Sequence, residues 1–163
     1  MTKLSWNDEA VATVTHFKWK ATRALDGGFL LGTMKLIVHP LPTQLVRPPQ
    51  LVVEATRAAV VMREPAELLV GHAEARGLIA RGSRVEDHVI EVALPLSSLA
   101  VQQFEERTQG EALRLDVQLD FRGYIDGRYA GSMSQVFRSR LAKDDWSSAL
   151  QLLTARPSTE SAA

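Results

Sequence analysis

Five arginines crowd the most regular part of the chain: Arg114, Arg122, Arg128, Arg138 and Arg140. Along a strand, residues two apart share a face, so Arg114 falls in line with Arg122, and Arg138 with Arg140. A sheet face carrying guanidinium forks grips phosphates or a carboxylate-rich partner. Asp116, Asp120 and Asp126 are interleaved with these arginines. Cross-strand ion pairs are therefore the competing outcome.

The other reactive side chains do not assemble along the sequence. No two of His16, His39, His72 and His88 sit at the i, i+4 spacing of a helical metal site. His72 and Glu74 share one strand face, the best local pair available, and a solvated neighbour pair explains them. There is no G-x-S-x-G, and Gly131-Ser132-Met133-Ser134 lies in a strand pattern instead of on a strand-to-helix elbow. Gly27-Gly28 and Gly123 read as turns, not as a phosphate loop or a dinucleotide fingerprint. The acidic pairs Glu86-Asp87, Glu105-Glu106 and Asp144-Asp145 fall at element edges. With no cysteine, thiolate metal sites, iron–sulfur clusters and cysteine nucleophiles are excluded. The expectation is a protein that is not an enzyme, with no catalytic, cofactor-binding or metal-binding residues.

The elements that carry these residues are mostly strands. Leu113, Leu115, Val117, Leu119 and Phe121 alternate with Arg114, Asp116, Gln118, Asp120 and Arg122, the pattern of an antiparallel strand with one buried face. Weaker alternation runs through Val11–Trp19 and returns over Phe29–Val38 after Asp26-Gly27-Gly28. Four prolines bracket a loop from His39 to Gln50, and Leu51–Met62, Glu67–Ile79 and the segment with Ile90, Val92 and Leu94 follow as strands. Asp126-Gly127 suits a tight hairpin into a last strand near Tyr129–Leu141. A helix is expected from Ser97 or Ser98 to Gly110, and another with the stripe Trp146, Ala149, Leu150, Leu153. The sum is an all-β fold, an antiparallel β-sandwich of roughly seven strands with one crossover helix and one C-terminal helix. Residues 1–156 form a single domain, and 157–163 a disordered tail.

Composition sets further bounds. The chain has 163 residues, with 19 basic and 19 acidic side chains. Zero formal charge argues against a duplex-nucleic-acid binder. No apolar stretch approaches the ~20 residues of a membrane-spanning helix, and two acids stand where a signal peptide needs its apolar run. The expected location is the cytoplasm. Arginine outnumbers lysine 14 to 5 and Asn7 is the single asparagine, a bias that fits a GC-rich bacterial genome. Of the tryptophans, Trp19 and Trp146 read as core anchors. Trp6 lies outside the clear patterning and is the candidate interface residue.

From Leu94 onward the order of features resembles a β-rich domain of bacterial proteins. Leu94-Pro95-Leu96-Ser97 leads a helix carrying Phe104-Glu105-Glu106-Arg107, then come Gly110, an alternating strand, a further strand, and Asp144-Asp145-Trp146 opening a terminal helix. The resemblance covers about a third of the chain and implies fold and bacterial origin. Its motifs are caps and packing residues, so no catalytic role transfers.

Two functions fit. The first is a non-catalytic protein-interaction or assembly module that pairs with a protein partner or forms homo-oligomers, with Leu51–Met62 as the unprotected edge strand. The second is a small-ligand-binding sandwich with an apolar cavity beside Gly71, Ala73 and Ala75.

Overall fold

The computed structural model describes residues 2–24, 27–41, 50–64, 67–82, 86–95 and 113–142. Within them the chain makes nine strands: β1 (Thr2–Trp6), β2 (Glu9–Ala24), β3 (Gly27–Val38), β4 (Leu51–Glu64), β5 (Leu68–Arg76), β6 (Leu78–Ala80), β7 (Glu86–Pro95), β8 (Leu113–Ile125) and β9 (Arg128–Leu141). They form one antiparallel sheet in the order β1-β2-β3-β7-β5-β4-β8-β9, with β6 paired to β4. Both expected helices, the Trp146 stripe among them, lie outside the described residues.

Alternation places one set of side chains inward. Leu115, Val117, Leu119 and Phe121 of β8 are fully buried, and Leu30, Met34 and Leu36 of β3, Val60 and Met62 of β4, and Ile90, Val92 and Leu94 of β7 join them. These residues fill a single interior. The sheet is not two packed layers: it curls until its first strands meet its last, and is nearly closed into a barrel. The expected sandwich is corrected to this extent. Curling needs local bends, and β-bulges supply them at Leu4/Ser5, Val14/His16, Ala55/Arg57 and Gly123/Tyr124.

No backbone ladder joins β9 to β1 or β2 among the described residues. Side chains close that seam instead. The Gln135 carboxamide accepts from the Ser5 N–H at 3.2 Å and donates to the Lys3 carbonyl at 2.5 Å, supplying β1 with the donor and acceptor a neighbouring strand would offer. Further along, the Trp19 indole N–H donates to Ser139 Oγ at 2.8 Å, and the Ser139 hydroxyl donates to the Leu115 carbonyl at 3.0 Å. Both side chains are buried, so Ser139→Ala leaves the indole N–H without its acceptor. The expected loss is about 1–3 kcal/mol. A denaturant midpoint equal to that of the parent would show that this bond does not hold the seam.

Two hairpins turn as tightly as their residues allow. Asn7 and Asp8 have φ of 48° and 65°, and Asp126 and Gly127 have 52° and 80°, the left-handed pairs of two-residue hairpin turns. β1 has no counterpart in the sequence reading, and Glu67–Ile79 divides into β5 and β6. The expected edge strand Leu51–Met62 is β4, which lies inside the sheet between β5 and β8. Its scarcity of charge reflects two paired sides, not an open edge.

One end of the barrel is tied by Arg81, just past β6. The side chain is 8% exposed; Nη1 meets Glu9 Oε1 at 2.7 Å, Nε donates to the His39 carbonyl at 3.0 Å, and Nη2 donates to the Pro40 carbonyl at 3.0 Å. His39 is itself anchored, its N–H on the Val11 carbonyl and its ring on Thr13 Oγ1 at 2.7 Å.

Candidate functional site

The arginines stand on the outer face of β8 and β9. Register sets Arg114 opposite Arg140, Asp116 opposite Arg138, and Arg122 opposite Ser132. Because inward positions alternate with outward ones, the β9 residues Arg138 and Arg140 are exposed while Phe137 and Leu141 are buried. Arg114, Arg138 and Arg140 line one depression of about 520 Å³ together with Phe17 and Ser139, at the seam where β2 approaches β9. Arg122 lines a second depression, about 360 Å³, with Thr56, Arg57, Asp120, Ser132 and Ser134. Arg128 is exposed beside the β8–β9 turn and lines neither of these.

The interleaved acids are engaged elsewhere. Asp116, 8% exposed, takes Arg63 Nε of β4 at 2.9 Å on Oδ2, with Arg114 Nε 3.8 Å from Oδ1. Arg63 also reaches Glu67 at 3.0 Å. Asp120 accepts the Ser134 hydroxyl at 2.6 Å, and Asp126 the Gln50 N–H at 3.0 Å. Arg138 and Arg140 have no carboxylate within 4.0 Å among the described residues. The cross-strand pairing of Asp116 with Arg138 does not form despite the register; Arg63 holds Oδ2 of that carboxylate from the other side.

Trp6 stands apart from the arginines. Its indole is 6% exposed and lies in the core, where a Cβ added to Gly123 would fall 2.2 Å from its Cη2. The structure places it inside, not at the surface where an interface residue belongs. Ala73 and Ala75 are buried as well, and Leu94 reaches to 3.6 Å from the Cβ position of Gly71, so this face meets packed side chain.

Of the histidines, His88 contacts the Leu78 carbonyl at 3.0 Å and Glu86 at 3.3 Å, while His72 and Glu74 lie exposed on the same face of β5. Among the described residues no three His, Asp or Glu side chains converge as metal ligands. The sequence reading missed Arg57, Arg63 and Phe17. Arg57 was legible as an arginine on a strand. Its outward aim depends on the bulge after Ala55, which alternation does not announce.

The described fold is thus an antiparallel barrel-like sheet with a guanidinium-bearing outer face. It is similar to a solved structure entitled "Crystal structure of protein from Archaeoglobus fulgidus", with TM-score 0.52 and 11% identity, over 80% of this chain and 97% of that one. This likeness concerns the fold alone. No family model matches the sequence, and no curated protein matches it.

Proposed function

We propose that the protein is a non-catalytic interaction module that docks an acidic protein surface, a second copy of itself included, on the outer face of β8 and β9. The observation that carries this reading is the gathering of arginines at the β2–β9 seam. A chain with 19 basic and 19 acidic side chains sets Arg114, Arg138 and Arg140 around one depression. Glu74, Asp87 and Glu91 are exposed on β5 and β7. Arg76 and Lys35 are exposed among these carboxylates, so a second copy would offer the arginine face a mixed-charge patch in a head-to-tail arrangement, and a separate acidic partner a stronger one. Phe17, a half-buried lining residue of the depression, adds apolar contact to the charges.

The test is binding of a fluorescent decaglutamate peptide, with sedimentation of the protein alone across the micromolar range. Arg138→Glu combined with Arg140→Glu is expected to weaken peptide binding at least ~10-fold, and raising the salt is expected to do the same to the parent protein. Binding indifferent to charge reversal overturns the reading. A strict monomer at every concentration removes self-association and leaves the heterologous partner.

A further inference from the structure

We infer that the acidic partner binds as a strand: an extended acidic segment of another protein pairs with the free edge of β2 in the seam between β2 and β9. This inference deepens the docking reading and rests on it, since Arg138 and Arg140 form one rim of that seam.

Strand order makes the seam a lane for one more strand. The path β2-β3-β7-β5-β4-β8-β9 takes six pairings, all antiparallel. Six reversals restore the direction, so β2 and β9 run the same way and a strand between them can be antiparallel to both. β1 is that strand over part of the length. It pairs with Glu9–Val14 of β2, and the Gln135 side chain of β9 meets its other edge at Lys3 and Ser5. From His16 onward β2 pairs with β3 alone among the described residues. In an antiparallel pair every second residue turns its N–H and C=O away from the partner. This stretch of β2 therefore presents a row of backbone donors and acceptors to the seam, the template that strand addition uses. A polypeptide backbone matches that row; a polyanion without amides does not.

Side chains, not a ladder, hold the seam at this level. Trp19 and Ser139 both face inward and are buried, so their 2.8 Å bond lies on the inner side of the sheet. The strands can part without breaking any β2–β9 backbone hydrogen bond among the described residues. The depression of about 520 Å³, lined by Phe17 and Ser139, opens at the same place.

The rims specify an acidic strand. Lys18 and Lys20 of β2 are exposed, as are Arg138 and Arg140 of β9. Lys18 stands opposite Thr33 and Lys20 opposite Leu31, so neither has an acid as its direct neighbour on β3. None of the four has a carboxylate within 4.0 Å among the described residues. Asp116, opposite Arg138, is held by Arg63. Across β1, β2 and β9 the sequence carries a single acid, Glu9, and Arg81 takes it at 2.7 Å. Side chains of an added strand alternate between the two faces. The outward set passes between lysines and arginines and calls for Asp or Glu; the inward set faces Phe17 and calls for an apolar residue.

The experiment is fluorescence-anisotropy binding of a capped octapeptide alternating glutamate and valine, with amide hydrogen exchange of the intact protein. Saturable binding is expected, with new protection of alternate amides in residues 16–21, which exchange freely in the protein alone. Lys18→Glu combined with Lys20→Glu, both exposed and outside the β8–β9 face, is expected to weaken binding ~10-fold or more. Methylating alternate peptide nitrogens keeps the charge and removes the donors of one strand edge. In at least one of the two phases it is expected to weaken binding ~10-fold or more. Full binding of both methylated peptides, or no effect of the lysine reversal, overturns the inference and leaves charge-dependent docking on β8 and β9 standing. Indifference to reversal of Arg138 and Arg140 removes the docking reading itself. Amides 16–21 already protected in the protein alone assign the seam to another segment of this chain, and protection that grows with protein concentration assigns it to a second copy; either result overturns the inference.

Discussion

Replacing Trp6 by alanine is expected to destabilise the fold by about 3–5 kcal/mol, the cost of emptying a large buried aromatic site. The ring is 6% exposed and rests on Gly123, whose lack of a side chain is what admits it: a Cβ there would stand 2.2 Å from Cη2 and 2.3 Å from Cζ2. Gly123→Ala alone overpacks the same place and is expected to cost about 1–3 kcal/mol. In Trp6→Ala the clash is gone, so the double variant is expected to lose less than the two single losses added together. Denaturant unfolding of the four proteins gives the coupling. Strict additivity would mean that Trp6 and Gly123 do not share this space. An interface role for Trp6 makes the opposite forecast: weaker association with unchanged unfolding.

Arg81→Met is expected to cost about 2–3 kcal/mol. The contact with Glu9 contributes little of this, since that carboxylate is 62% exposed and regains water when the guanidinium leaves. The larger share comes from the carbonyls of His39 and Pro40, which lose charged donors at 3.0 Å each. Methionine keeps the bulk of the stem, so the measurement isolates the hydrogen bonds. Arg81→Lys restores charge without the fork and is expected to recover only part of the stability. Full recovery in the lysine variant would show that charge alone is what the barrel end requires.

How far the sequence disclosed this arrangement depends on the range of the interaction. The face of β8 was legible because a period of two is a local property: Leu115, Val117, Leu119 and Phe121 are buried as their spacing requires. Asp116 shares the outward set yet is 8% exposed, because Arg63, 53 residues earlier, lies against it. Sandwich and barrel have the same alternation, and what separates them is where the sheet bends. The bulges at Ala55/Arg57 and Gly123/Tyr124 leave no mark in hydropathy. Edge or centre is likewise a matter of strand order, which is why β4 misled. Arg138 and Arg140 could be paired from spacing, and their meeting with Arg114 follows from a hairpin whose Asp-Gly turn was visible. Phe17 and Arg57 come to the two depressions from strands whose placement no local pattern encodes. Arg81, in what reads as a polar turn, gave no sign of burial.

The seat of Trp6 is built by a residue 117 positions further along the chain, as 123 minus 6 gives. At ~5–20 residues per second of ribosomal synthesis, the indole emerges roughly 6–23 s before Gly123 exists to receive it. Gln135, which clips Lys3 and Ser5, arrives later still. During that interval β1 has its ladder with β2 but neither Gly123 to seat its tryptophan nor the Gln135 clip. β1 is thus locked only after residues more than a hundred positions downstream of it have been translated.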